Sequence, residues 1–139
     1  MRPRLAVVDT NVVVAALITS RADSPTSLIL DGMLAASFPY LLSTELVAEY
    51  LEVLSRPRIS DLHGLSPKQL DIILTTIVAN GIYKTPVSPA SAAPDPGDDH
   101  LWALAQSEPD CVLVTGDRLL VDSPPGGVSV ISPREFLER

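Results

Sequence analysis

The chain has 139 residues, 46% of them hydrophobic and 19% charged, a balance suited to one folded domain over residues 1–139 and unsuited to a disordered, solvating polymer. Its formal net charge of −7 argues against nucleic-acid binding through a broad basic face, which needs clustered Lys and Arg. A single cysteine excludes an intramolecular disulfide, and no apolar run reaches the roughly 18 residues of a membrane span, so a cytoplasmic protein with no membrane partner is expected.

Residues 4–9, Arg-Leu-Ala-Val-Val-Asp, predict a short strand whose continuous apolar character suits a parallel sheet covered on both faces. Arg2 and Arg4 before this run imitate a signal peptide, but Asp9 and Asn11 interrupt it too early. Thr10 or Asn11 can cap a helix over residues 11–18. Ser24-Pro25 opens a second helix, serine capping and proline in the first turn, with Leu28, Leu30, Met33 and Leu34 as its apolar residues. Residues 39–43 predict another short strand. A helix then runs from Ser43 or Thr44 to Leu54, with Leu46, Tyr50, Val53 and Leu54 on one face, and Arg56-Pro57 is read as its stop.

Ser66-Pro67 begins a further helix, carrying Leu70, Ile73, Leu74 and Ile77 and ending at Asn80-Gly81. Residues 82–97 hold Pro86, Pro89, Pro94 and Pro96 and read as a surface connection, with room for a short edge strand over residues 82–87. A helix is predicted over residues 98–107, a buried strand over 111–115 and a helical turn over 117–121. A strand over 128–131 and a terminal helix from Ser132-Pro133 complete the order. Cys111, within Cys-Val-Leu-Val, is expected to be a buried inert thiol. Strands alternating with helices, without a repeat or a linker, define an α/β fold around a mainly parallel sheet.

Ligands of open α/β sheets gather beyond the carboxyl ends of the strands. Asp9 ends one apolar run, followed by Thr10 and Asn11, and Thr115 and Asp117 end another, so two strands aim polar groups at one edge. The competing account of Asp9 is a helix cap worth about 1 kcal/mol. Thr10 and Asn11 can serve that purpose instead. For Asp117 a Gly-Asp turn is an equally good explanation. Asp95, Asp98 and Asp99 surround a helix start, where acids favour the helix dipole. Asp98 shares a face with Leu101, Trp102 and Ala105 and so points toward the body of the domain, with Asp95 the more structural residue. Glu45, Glu49 and Glu52 are spaced as one solvated helix face, Glu49 lying beside Tyr50 at the edge of the apolar stripe.

Two histidines, His63 and His100, and one cysteine fit no zinc-ligand spacing, and no phosphate-cradling glycine loop or nucleophile elbow is present. Ser43 and Thr115 stand at element ends, as caps or as supporting hydrogen bonders. An acid-rich, thiol-poor donor set suits hard cations, Mg²⁺ or Mn²⁺, and two such ions activate water and stabilise a leaving oxygen in phosphodiester hydrolysis. Bound cations would also answer the objection from net charge by reversing its sign locally. Arg21, Arg56, Arg58, Lys68 and Arg118 are the basic residues available for a local patch.

Val-Val-Asp-Thr-Asn, Leu-Val-Ala-Glu with Leu-Ser-Arg-Pro-Arg, Asp-Pro-Gly-Asp-Asp, Val-Thr-Gly-Asp and the closing Ser-Pro-Arg-Glu-Phe-Leu follow one another in an order that resembles the PIN domain family. More narrowly, the chain is similar to the bacterial branch of toxin–antitoxin toxins related to the VapC ribonucleases. The resemblance implies a three-layer α/β/α sandwich and Mg²⁺- or Mn²⁺-dependent cleavage of RNA. It implies Asp9, Glu49, Asp98 and Asp117 as the catalytic and metal-binding acids, with Asn11 and Thr115 in support. Gly97 departs from the pattern, standing where close relatives often carry an acid; Asp95 and Asp99 compete with Asp98, as Glu45 and Glu52 do with Glu49. It further implies an RNA substrate, an antitoxin protein partner and a homodimer. A phosphatase-type phosphoryl-transfer enzyme and a non-catalytic binding module are the alternatives; the first is disfavoured because Asn11 replaces a second acid two residues after Asp9.

Overall fold

A computed structural model describes residues 4–86, 99–122 and 128–138. Two parallel sets of strands form its centre. The first has the order β1(Ala6–Val8), β4(Val112–Val114), β5(Ser129–Ile131), and the second pairs β2(Leu41–Leu42) with β3(Ile82–Tyr83). A parallel bridge between Ala6 and Tyr40 joins them, so the spatial order is β3, β2, β1, β4, β5. The chain builds outward in one direction from β1 and then returns to its other side with β4. The strand order therefore reverses between β1 and β4, the topological switch point at which doubly wound sheets open a crevice.

All residues of β1 and β4 are buried, as continuous apolar runs require in a sheet covered by helices on both faces. Around them lie α1(Thr10–Ile18), α2(Pro25–Leu34), α3(Thr44–Leu54), α4(Pro57–His63), α5(Pro67–Asn80), α6(Asp99–Gln106), α7(Arg118–Asp122) and α8(Pro133–Leu137). The three Ser-Pro starts behave as their chemistry dictates. Ser24, Ser66 and Ser132 accept hydrogen bonds from the backbone N–H three residues on, and each following proline occupies the first turn. At Ser66 the Gln69 side chain returns the bond and completes a capping box. Among the described residues no helix is long and apolar enough to cross a membrane.

The structure adds to several expectations. α3 ends at Leu54, before Arg56-Pro57 as expected, but the same proline also starts α4, because its fixed φ and missing N–H suit a first turn as well as they break an interior. Gly64, at φ 65°, closes that helix. In α2, Leu28 faces solvent and Ile29 enters the core. The strand over 82–83 does form and pairs with β2, whereas residues 87–97 of the predicted connection lie outside the described residues, as does Asp98 at the predicted start of α6.

Gly81 ends α5 for a reason that the Asn-Gly signal does not convey. Its φ is −84°, so no left-handed conformation is needed. A Cβ there would collide with the Leu42 side chain and stand 2.9 Å from a Tyr40 ring carbon. Gly81→Ala is therefore expected to destabilise the fold by about 1–3 kcal/mol through overpacking, read as a lower urea midpoint at unchanged slope.

Cys111 is buried, and burial foremost pushes its thiol from 9.0 up to about 12, with Glu108 adding to the shift. A raised pKa means that the folded state holds the proton more tightly. The resulting stabilisation is complete below pH 9 and is lost as pH rises from 9 toward 12, at a limit of roughly 1.4 kcal/mol per pH unit. The folded protein should resist a thiol reagent at pH 8, react once unfolded in urea, and lose stability less steeply above pH 9 as Cys111→Ala. Rapid labelling of the folded chain at pH 8 would contradict this account.

Candidate functional site

The register of the sheet creates the site. Ala6, Val7 and Val8 stand opposite Val112, Leu113 and Val114, so the next residues, Asp9 and Thr115, meet at the carboxyl ends of adjacent strands. Backbone bonds continue one step past both strands, Asp9 N–H to Val114 O at 2.9 Å and Thr115 N–H to Ile131 O at 3.1 Å. The Thr115 hydroxyl donates to Asp9 Oδ2 at 2.8 Å, and Asn11 Nδ2 donates to the same oxygen at 3.2 Å. Asn11 also reaches Thr115 Oγ1, while its own Oδ1 accepts from the Gly116 N–H at 3.0 Å. Because Oδ1 accepts and Nδ2 donates, the network itself fixes the orientation of the amide.

Asp9 occupies the cap position of α1 but makes no side-chain capping bond. The capping account therefore fails at this residue: the nearly buried carboxylate is held by Thr115 and Asn11 and not by the helix N–H groups. Asp117 differs. Its Oδ1 accepts from the Leu119 N–H at 3.0 Å and starts α7, as the turn reading predicts, yet the same side chain lines the cleft containing Asp9.

That cleft, about 600 Å³, lies between α1 and α3 over the strand ends. Asn11, Val14, Ala15 and Ile18 form its α1 wall at helical spacing, and Glu49 and Val53, four residues apart, form its α3 wall. Of the three glutamates on α3, Glu49 enters the cleft; Glu52 is exposed and pairs with Arg56 at 3.3 Å, and Glu45 faces solvent. One residue beyond Glu49, the buried Tyr50 hydroxyl donates to Val8 O at 2.5 Å, tying α3 to the end of β1. Burial, then the charge of Asp9, and further Tyr40 and Glu49 raise the phenol well above its ordinary pKa, so it remains a donor. Ser43 proves to be a cap, accepting from Leu46 N–H.

Sequence reasoning missed two features. His100, on α6, brings Nε2 to 3.4 Å from Glu49 Oε2. The buried Thr10 hydroxyl, lining the cleft, makes no hydrogen bond among the described residues. Neither carries a local signal, since His100 and Glu49 are fifty-one positions apart and meet only because α3 packs on α6. Of the basic residues, Arg21 pairs with Asp23 at 3.6 Å and Arg56 with Glu52, while Arg58, Lys68 and Arg118 are exposed.

Carboxylate, hydroxyl and amide oxygens dominate the cleft's polar end, a donor set suited to hard divalent cations and not to zinc. Among the described residues no three acidic, histidine or cysteine side chains converge closely enough to hold one ion. Asp98, expected as a further acid, lies outside those residues.

A doubly wound α/β domain with acids at its switch point is a scaffold for phosphate and metal chemistry. The chain belongs to the PIN domain family, whose match covers residues 5–119 and includes Asp9, Glu49, Asp98 and Asp117. The fold is thus of nuclease type, an α/β sandwich with a mainly parallel sheet, from a family that generally uses divalent metal ions. No curated protein matches the chain.

Proposed function

We propose that the protein is an Mg²⁺- or Mn²⁺-dependent endoribonuclease acting as the toxin of a toxin–antitoxin pair. The observation that carries this reading is the placement of Asp9, Glu49 and Asp117 on one cleft at the switch point, with Asp9 held by Thr115 and Asn11 instead of capping α1. In this reading Asp9 and Asp98 are the principal metal ligands and Asp117 and Glu49 complete the set. Bound cations would supply Lewis-acid activation of water and neutralise charge on the phosphodiester. The chain's own contribution is to fix the ligands: Thr115 and Asn11 hold one oxygen of Asp9, and Tyr50 pins the strand that delivers it.

An acidic protein has little to attract RNA until those cations are bound. Association with RNA is therefore expected to depend on metal and to weaken with salt. The partners proposed are RNA, an antitoxin whose segment fills the cleft, a second copy of the chain, and a cytoplasmic setting. The test is cleavage of an RNA panel by purified protein with Mn²⁺, with and without chelator, and with a cognate antitoxin recovered by co-purification. Metal-independent cleavage overturns the mechanism, and absence of any Mn²⁺ binding favours a non-catalytic binding module.

A further inference from the structure

Glu49 and His100 form a half-buried contact that metal ligation by Glu49 alone does not explain. The Glu49 side chain retains 28% of its accessibility, yet Oε2 is closed to solvent and has no hydrogen-bond partner among the described residues. His100 Nε2 stands 3.4 Å from that oxygen, and His100 Nδ1 is buried without a partner. Only Nε2 has an acceptor nearby, and an unpaired N–H at Nδ1 would be the worse orphan, so the ring proton belongs on Nε2, facing Glu49. With Oε2 closed to solvent and walled off by the His100 ring, Oε1 is the oxygen left to the cleft.

We infer that His100 is a positioning residue that restricts Glu49 to one-oxygen ligation and thereby biases the site toward small octahedral cations and against Ca²⁺. The inference rests on the reading of Glu49 as a metal ligand. Ca²⁺ accepts six to eight oxygens and readily takes both from one carboxylate, whereas Mg²⁺ demands near-ideal octahedral geometry from single oxygens. A group that shields one carboxylate oxygen therefore discriminates between these ions without touching either. Partners that orient ligands in this way typically contribute 10- to 100-fold to metal affinity.

The experiment compares Mn²⁺ and Ca²⁺ affinities of the full chain, measured at one fixed pH by Mn²⁺ electron paramagnetic resonance with Ca²⁺ competition, for the native protein, Glu49→Gln, His100→Ala and His100→Gln. Circular dichroism and Tm confirm folding. Glu49→Gln should weaken Mn²⁺ binding. His100→Ala should weaken Mn²⁺ about 10-fold and shift the Ca²⁺-to-Mn²⁺ affinity ratio about 10-fold toward Ca²⁺. His100→Gln, whose amide nitrogen reaches the same position as Nε2, should restore most of the native ratio. If Glu49→Gln binds Mn²⁺ as the native protein does, Glu49 is not a ligand and this inference falls with that assignment. If Glu49→Gln weakens binding while His100→Ala leaves the ratio within twofold of native, the ligand assignment stands and the role of His100 is refuted. A His100→Ala chain that fails to fold leaves His100→Gln decisive: folded, with Mn²⁺ affinity and ion ratio near native, it supports the inference, and with a ratio shifted toward Ca²⁺ it overturns it.

Discussion

Asp9→Asn is expected to lower metal-dependent RNA cleavage by at least about 10²-fold while leaving the fold intact. The asparagine amide oxygen can take the place of Oδ2, accepting from Thr115 and Asn11 as the native oxygen does at 2.8 and 3.2 Å. The amide nitrogen then replaces Oδ1. It cannot ligate a cation, and one negative charge leaves the cleft. Because packing is conserved, Tm should shift by only a few degrees, which separates a chemical defect from unfolding. Rates would be measured under single turnover with saturating RNA, alongside Mn²⁺ affinity. An Asp9→Asn protein cleaving at the native rate would remove the strand-end acid from the mechanism.

Trp102→Ala is expected to have the largest effect on stability. Trp102 is completely buried in α6, which packs against β1 and α3, and deletion of so large a side chain costs about 3–5 kcal/mol. Domains of this size are stable by about 5–15 kcal/mol in all, so the variant should lose a substantial part of its stability and on the order of 10 °C in Tm. The indole N–H has no hydrogen-bond partner among the described residues. Trp102→Phe therefore removes an unpaired donor along with some volume and should cost less than half as much. Equilibrium urea unfolding followed by circular dichroism gives both values. A Trp102→Ala loss below 1 kcal/mol would show that this part of the core repacks freely. Since α6 also carries His100, the same substitution should loosen the contact that orients Glu49.

Local chemistry made much of the chain legible. Ser24-Pro25, Ser66-Pro67 and Ser132-Pro133 each announced a helix start, and each cap forms because a serine oxygen and a proline φ need nothing from distant residues. The same locality made Arg56-Pro57 legible as the end of α3 and hid the start of α4, since proline ends one helix and opens the next with equal ease. In α2 the apolar residues Leu28, Leu30, Met33 and Leu34 left the buried face open, because the short cluster fits more than one face; in the folded protein Ile29 is buried and Leu28 exposed.

The site divides along the same line. Val-Val-Asp and Val-Thr-Gly-Asp showed, unaided, two buried strands delivering polar residues to one sheet edge, because apolar continuity and its interruption are properties of the sequence. Which oxygen of Asp9 is held, and by whom, required the parallel register that sets Asp9 against Thr115 across 106 positions. The choice of Glu49 over Glu45 and Glu52 required the packing of α3 against α1, since helical periodicity treats all three as one outer face. Asp9 thus owed its prominence to its own strand, whereas the meaning of Glu49 and the presence of His100 beside it came from tertiary packing, which alone brings separate helices within reach of one carboxylate.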